Sequence, residues 1–144
     1  MATVADVLAD KGSAVFAVSP TASVYEAIER MVANNVGALV VLDGAALTGI
    51  VTERDYLRRV ALEGRTSRET TVAEIMSPGV VTVTPGTSLD QCMRFMTGRR
   101  VRHLPVLAAG RLAGIISIGD VVKRLLGEQA TQIQDLTLYI QGRA

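Results

Sequence analysis

Two short motifs place a hydroxyl three residues before a carboxylate: Thr52-Glu-Arg-Asp55 and Ser117-Ile-Gly-Asp120. Each motif follows an apolar run that predicts a β-strand and precedes a run with helical spacing, so it should lie where a helix begins. The free N–H groups at a helix N-terminus favour phosphate, and an ionised aspartate can accept hydrogen bonds from both hydroxyls of a ribose. The two motifs are therefore candidate nucleotide contacts, with the hydroxyl on a phosphate or ribose oxygen.

The same spacing is also typical of an ordinary helix cap, in which the hydroxyl is the N-cap and the acid lies in the first turn. Two copies in register do not decide between the alternatives, because a duplication copies caps as well as sites. The motifs have to be interpreted together with the elements that position them.

Those elements form an internal repeat. Residues 15–60 and 80–125 align without a gap at an offset of 65, and fourteen of the forty-six pairs are identical, including Asp55 and Asp120. Repetition of a whole unit predicts one supersecondary element used twice. Because a unit of about 60 residues buries too little surface alone, we expect the two halves to pack on each other.

Each repeat reads strand, helix, strand, strand, helix. The predicted strands are residues 16–19, 38–42 and 47–51 in the first repeat and 80–84, 103–107 and 112–116 in the second. A second sequence similarity, at an offset of 68, pairs residues 3–8 with 71–76 and predicts a short helix before each repeat. We divide the chain into a first repeat with its N-terminal helix (1–65), a second repeat (66–127) and a helical extension (128–144).

Composition narrows the function classes. The 144 residues carry a net charge of +1 and one cysteine, Cys92, for which we expect a buried packing role. This balance argues against a nucleic-acid or membrane partner, and the N-terminal residues show no signal-peptide pattern, so we expect a cytoplasmic protein. With one histidine and no nucleophile motif, P-loop or ligand cluster, we expect no enzyme, no catalytic cofactor and no metal site.

The element order, the Gly-apolar-apolar-Thr/Ser-x-x-Asp signature, the run at 83–89 and the strand Arg102-His-Leu-Pro-Val106 resemble a tandem pair of cystathionine β-synthase (CBS) domains, the Bateman module. The resemblance covers residues 3 to about 126. It implies an α+β (or α/β) fold of two β-α-β-β-α repeats packed as a pseudo-twofold module, with modules dimerising into a disk. It also implies two clefts between the repeats that bind AMP, ADP or ATP, with NAD(H) or S-adenosylmethionine as further candidates.

Carried onto this chain, the resemblance assigns ribose to the aspartates, phosphate to the hydroxyls and basic residues, and adenine to the beginning of the first strands. The first cleft would contain Thr52, Arg54, Asp55, Ser77, Val80, Arg102 and His103. The second would contain Ser117, Asp120, Ser13, Val15, Gly37 and Ala38, with Lys11 as a substitute cation.

The two clefts differ in charge. Gly119 stands where the first cleft has Arg54, and Gly37 where it has Arg102. We therefore expect the Asp55 cleft to bind nucleotide more tightly, and the Asp120 cleft to take a less charged adenosine moiety or the other end of a dinucleotide. His103 is either a phosphate contact or a structural histidine.

The function that follows is a regulatory module that senses adenine nucleotide and changes its contacts with an unidentified protein. The alternative is a structural homodimer with little ligand dependence. It rests on the apolar stripes after the two motifs, which are Tyr56, Leu57 and Val60 in the first repeat and Val121, Val122 and Leu125 in the second.

Overall fold

The computed structural model describes residues 1–12 and 14–128. The elements are α1 (Val4–Lys11), β1 (Ala17–Val18), α2 (Val24–Asn34), β2 (Ala38–Asp43), β3 (Ala46–Thr52), α3 (Glu53–Tyr56), a π-helical turn (Leu57–Ala61), α4 (Val72–Ile75), α5 (Leu89–Arg99), β4 (His103–Ala108) and β5 (Arg111–Ser117). A further helix, α6, begins at residue 118 and is described to residue 128. The predicted α+β fold of two repeats is confirmed, whereas most of the predicted extension at 128–144 lies outside the described residues.

The two repeats build equivalent hairpins. In the first, β2 and β3 pair antiparallel, and β1 adds to β2 in parallel with Ala17 opposite Val40. In the second, β4 and β5 pair antiparallel in the same register, shifted by the repeat offset. Each hairpin has a register shift at the same place, directly after the buried apolar run of β2 and β4.

The predicted strand at 80–84 is wrong in extent. It is reduced to one parallel bridge between Val83 and Val106. In the first repeat, the Val40 amide donates to the carbonyl of Phe16. The residue equivalent to Val40 is Pro105, which has no N–H to donate, so the second ladder cannot extend in the same way.

The two short leading helices pack with the opposite repeat. Ala2, Val4 and Val7 of the α1 segment belong to a core formed by the second repeat, from Val83 to Val121. Val72 and Ile75 of α4 belong to the core of the first repeat. Backbone hydrogen bonds fix this exchange, since Val4 N donates to Thr87 O and Val72 N donates to Ala22 O, each at 2.9 Å.

The helices after the two motifs leave apolar side chains outside the cores. Leu57 in the π-helical turn and Val122 in α6 are 56% and 38% exposed, and they are equivalent at the repeat offset. Leu62 and Leu126 are exposed nearby in sequence. Across the described ranges, no helix is both long and apolar enough to cross a membrane.

Candidate functional site

Both aspartate motifs adopt the reciprocal geometry of a helix cap. The Thr52 amide donates to Asp55 Oδ2 at 2.9 Å, and the Asp55 amide donates back to Thr52 Oγ1 at 3.2 Å. Ser117 and Asp120 repeat the exchange at 2.8 and 3.1 Å. Since Thr3 with Asp6 makes the same cap at the beginning of α1, the capping alternative is present in the structure, and cap geometry alone does not mark a binding site.

Both aspartates line cavities, but the cavities differ in their lining. Asp120 borders one of about 630 Å³ with residues of α1 and α6, which are Val7, Asp10, Lys123, Arg124, Gly127 and Glu128. A cleft of about 620 Å³, lined by Asp55, lies between the two repeats. The first repeat contributes the end of β3, the beginning of α3 and the π-helical turn. The second contributes the segment after α4 and the residues between α5 and β4. The lining residues are Gly37, Ile50, Thr52, Glu53, Arg54, Asp55, Leu57, Arg58, Ser77, Pro78, Gly79, Val80, Val81, Arg99, Arg100, Val101, Arg102 and His103.

The structure brings together every residue predicted for the first cleft. Thr52, Arg54, Asp55, Ser77, Val80, Arg102 and His103 all line this cavity. They come from segments that are far apart in the chain, so only the packing of the two repeats creates the group. That these residues bind a ligand stays a prediction.

The cleft is more basic than the sequence suggested. Besides Arg54 and Arg102, it is lined by Arg58, Arg99 and Arg100, which the motif reasoning missed. Five arginines face two carboxylates, although the whole chain carries a net charge of only +1. Guanidinium groups bind phosphate oxygens in bidentate fashion, so this concentration favours a ligand with several negative charges.

Arg100 also has an unusual backbone. It is the C-cap of α5, with φ of 54°, in the left-handed region. The equivalent C-cap of α2 is Asn35, with φ of 53°. Asparagine tolerates this conformation well, whereas arginine does not, and this mismatch between the repeats is the signal in the sequence that could have drawn attention to Arg100.

The segment after α4 forms one wall of the cleft through backbone pairing. Ser77 N donates to Ile50 O at 2.9 Å, and Ile50 N donates to Ser77 O at 3.1 Å. Gly49 permits this approach, because a Cβ there would lie 2.9 Å from Ser77 O. The pairing holds Ser77, Pro78 and Gly79 against the end of β3.

The second predicted group is assembled in part. Lys11 Nζ lies 2.7 Å from Asp120 Oδ2 and 3.0 Å from the carbonyl oxygen of Ile115. Burial alone would raise the pKa of Asp120, but the hydrogen bonds from Lys11 and the Ser117 amide outweigh it and hold that pKa below its usual value. Lys11, Ser117 and Asp120 are thus brought together, with the lysine on the carboxylate.

Other residues predicted for the second cleft lie elsewhere. Gly37 lines the Asp55 cavity instead, because its carbonyl accepts a hydrogen bond from the Glu53 amide at 3.1 Å. Ala38 is buried opposite Thr52 in the β2–β3 pair. Val15 is half-buried ahead of β1, and Ser13 lies outside the described residues.

His103 lies between the two motifs. It pairs with Ser117 across β4 and β5, yet it lines the Asp55 cavity. Burial, followed by the positive charge of Lys11, holds the pKa of His103 below its ordinary value. The imidazole is therefore mainly neutral at neutral pH in the unliganded protein.

In the part of the chain that the structure describes, no cluster of three His, Cys, Asp or Glu side chains could hold a metal ion. Cys92 is 0% exposed within the core of the second repeat, as expected of a packing residue, and burial raises the pKa of its thiol.

With this geometry established, the chain can be compared with known proteins. The family model described as "CBS domain" matches residues 4–62 and again residues 72–127. The chain belongs to the CBS-domain family. It is a tandem CBS pair, as the repeated motif and the repeated hairpin predicted.

Relatives cover nearly the whole CBS pair. A CBS-domain structure from Burkholderia ambifaria, described as a putative signal-transduction protein, is 48% identical, with a TM-score of 0.85 over 89% of this chain and 96% of that one. The mitochondrial CBS domain-containing protein CBSX3 of Arabidopsis thaliana is 41% identical over 97% of this chain and 72% of its own length.

A more distant structure contains ligands. The CBS pair of protein MJ0100 was solved in complex with 5′-methylthioadenosine and S-adenosyl-L-methionine. It is 24% identical, with a TM-score of 0.77 over 90% of this chain and 98% of that one. At this identity the likeness shows the shared fold.

Proposed function

We propose that this CBS pair is a regulatory module that binds an adenine nucleotide in the Asp55 cleft. The observation that carries the proposal is the composition of the cavity, which joins a ribose acceptor, an arginine cluster and an apolar wall within about 620 Å³. This volume falls in the ordinary range of small-molecule sites. AMP, ADP and ATP are the leading ligands, and NAD(H) and S-adenosylmethionine are further candidates.

Each part of the nucleotide has a suitable partner in the cleft. The hydrogen bonds to Thr52 use Asp55 Oδ2, so we assign Oδ1 to the ribose hydroxyls. Val80 and Val81 offer an apolar wall to the adenine. The arginines then receive the phosphates, which is the part of the ligand that methylthioadenosine lacks.

The MJ0100 complex supports an adenosine moiety as the common element of the ligand, because that pair has the same fold and holds two adenosine compounds. The arginine cluster supports a phosphorylated ligand here. We therefore place ADP and ATP above AMP, and all three above methylthioadenosine, in affinity for this chain.

Calorimetric titration of the full chain with these compounds tests the proposal, using Asp55→Asn as the variant. Asparagine keeps an oxygen for the cap but loses the charge that attracts the ribose hydroxyls. Hydrogen bonds to a charged group contribute about 1.5–3 kcal/mol, so we expect ADP affinity to fall roughly 10-fold or more. If no adenine compound binds the unaltered chain, the proposed function is wrong.

Asp6→Asn is the matched control. Asp6 makes the same cap, with the Thr3 amide donating to Oδ2 at 2.8 Å, but it does not line the cleft. We expect this variant to bind ADP as the unaltered chain does. Equal losses in both variants would assign the effect to capping.

Regulation requires that the ligand distinguish two states of the protein. The cleft is lined by both repeats, so a ligand that bridges them favours one relative position of the two. We propose that this difference is transmitted to an unidentified partner protein. Hydrogen exchange at α3 and α5 with and without ADP would detect the change.

Self-association is a second candidate function, favoured by the exposed apolar residues on the helices after the motifs. We propose that Leu57 and Val122 contact a second copy, in the disk arrangement expected from the sequence. Leu57→Glu with Val122→Glu should then lower the mass measured by light scattering. Val32→Glu is the control, since Val32 is 76% exposed on α2, and an equal effect there would contradict the assignment.

A further inference from the structure

The two aspartate sites differ in whether the carboxylate forms an ion pair. At Asp120 the Lys11 ammonium lies 2.7 Å from Oδ2, and the exposed fractions of the two side chains are 32% and 25%. The lysine comes from α1, 109 residues away in the chain. No cation among the described residues forms an ion pair with Asp55.

The difference arises from the length of the leading helices. α4 and α1 begin at equivalent positions, Val72 and Val4, but α4 ends at Ile75 and α1 continues to Lys11. After α4 the chain becomes extended and pairs with Ile50 through its backbone. The additional turn of α1 occupies the corresponding space in the other half of the molecule.

The Lys11 ammonium also binds the strand carbonyl whose equivalent in the first repeat accepts a hydrogen bond from a backbone amide. Ile50 O accepts from the Ser77 amide at 2.9 Å. The equivalent carbonyl, that of Ile115, accepts from Lys11 Nζ at 3.0 Å. One lysine thus satisfies a strand carbonyl and neutralises the aspartate, whereas at Asp55 the corresponding segment lines an open cleft with Pro78 and Gly79.

We infer that Lys11 is an internal occupant of the Asp120 site, which closes that site to a ribose, so that each chain binds one nucleotide, at Asp55. This inference rests on the proposed function. A ribose diol would have to bind Asp120 Oδ1 beside an ammonium that lies 2.7 Å from Oδ2, neutralises the carboxylate and competes with the diol as a donor. A ligand at Asp120 must displace Lys11 from two oxygens, and it finds Gly119 in place of the arginine that stands beside Asp55.

As an internal occupant, Lys11 has the opposite effect on affinity at the Asp120 site from the phosphate-binding role expected from the sequence. A phosphate-binding lysine would increase the affinity of the Asp120 site, so its removal would weaken binding there. An internal occupant decreases that affinity, so its removal would strengthen binding. The sign of one measurement separates the two roles.

Adenosine is the appropriate probe, because it offers the ribose diol without a phosphate that Lys123 and Arg124, which line the cavity at Asp120, could bind. Calorimetry in the Asp55→Asn background, in which the first site is weakened, reports mainly on the Asp120 site. We expect Asp55→Asn with Lys11→Ala to bind one adenosine per chain, at least 10-fold more tightly than Asp55→Asn alone. Adding Asp120→Asn should remove that binding, and Lys11→Arg, which keeps a cation, should leave the site closed.

Equal or weaker adenosine binding after Lys11→Ala would overturn the inference, as would two ADP molecules per unaltered chain. The far-ultraviolet circular dichroism of each variant establishes that it is folded, and alanine preserves the helical tendency of α1. Failure of the proposed function has a different signature. In that case the unaltered chain binds no ADP, while the comparison with and without Lys11 still reports on Asp120.

Discussion

A single methyl group placed on Gly49, against the segment that forms one wall of the cleft, tests whether the backbone pairing at Ser77 organises this half of the molecule. Gly49 lies in β3 with an ordinary backbone conformation, so alanine fits its dihedral angles. The new Cβ would lie 2.8 Å from Met76 Sδ and 2.9 Å from Ser77 O. Gly114, its equivalent in β5, would bring a Cβ to 2.8 Å from Leu8 Cδ2.

The two substitutions differ in what has to move. The Leu8 methyl group is the end of a rotatable side chain, and so is the Met76 sulfur, but Ser77 O is backbone. Relieving that contact requires a shift of about 0.5 Å, since ordinary Cβ contacts begin at 3.4 Å. The shift strains both hydrogen bonds between Ser77 and Ile50.

We expect Gly49→Ala to lower the free energy of unfolding by about 2–3 kcal/mol, the sum of overpacking and a weakened backbone hydrogen bond. Gly114→Ala should change it by less than about 1 kcal/mol, because replacing glycine also restricts the unfolded chain. Urea unfolding measures both, and Gly49→Ala should lower the midpoint by about 1 M or more. Equal losses for the two variants, or a larger loss for Gly114→Ala, would refute the reasoning.

Three further predictions concern single residues. Because burial and the Lys11 charge lower the pKa of His103, the unfolded chain binds that proton more tightly, and the free energy of unfolding should fall as pH drops below about 6.5. His103→Gln should flatten this slope in urea unfolding between pH 7.5 and 5.5, and an unchanged slope would contradict the pKa direction. Cys92 should react with iodoacetamide at a rate that rises with the unfolded fraction in urea, whereas fast labelling of the native protein would contradict its burial. Arg100→Asn should raise stability by about 0.5–1 kcal/mol, since asparagine suits the left-handed C-cap, and weaken ADP binding several-fold; unchanged ADP affinity would remove Arg100 from the site.

The sequence predicts the elements of this fold well because each element follows from local patterns. Apolar spacing locates the helices α2 and α5, and in the structure Ser23 and Ser88 are their N-caps. The strand at 80–84 fails for a reason that is not local. Its partner contains Pro105, and the missing N–H matters only once the two segments pair.

The residues of the candidate site also fall into two groups, those that local patterns predict and those whose positions depend on packing. The motif residues are predictable because the repeat preserves them in register, and Thr52 and Asp55 of the first motif line the cleft. The positions of Arg99 and Arg100 depend on how α5 ends and on the packing of one repeat against the other. The sequence places Lys11 in the second cleft, but its ion pair with Asp120 depends on α1 being longer than α4, which the similarity between residues 3–8 and 71–76 does not reveal.

Because each leading helix packs with the opposite repeat, the two cores are completed at different times during synthesis. The first core is complete once α4 has emerged, since its members end at Ile75. α1 is synthesised before these elements, yet its core partners extend to Val121. At roughly 5–20 residues per second, translation of that stretch takes on the order of 5–20 s. During this interval Val4 and Val7 of α1 have no completed core to pack in, so α1 reaches its final position after elements that are synthesised later.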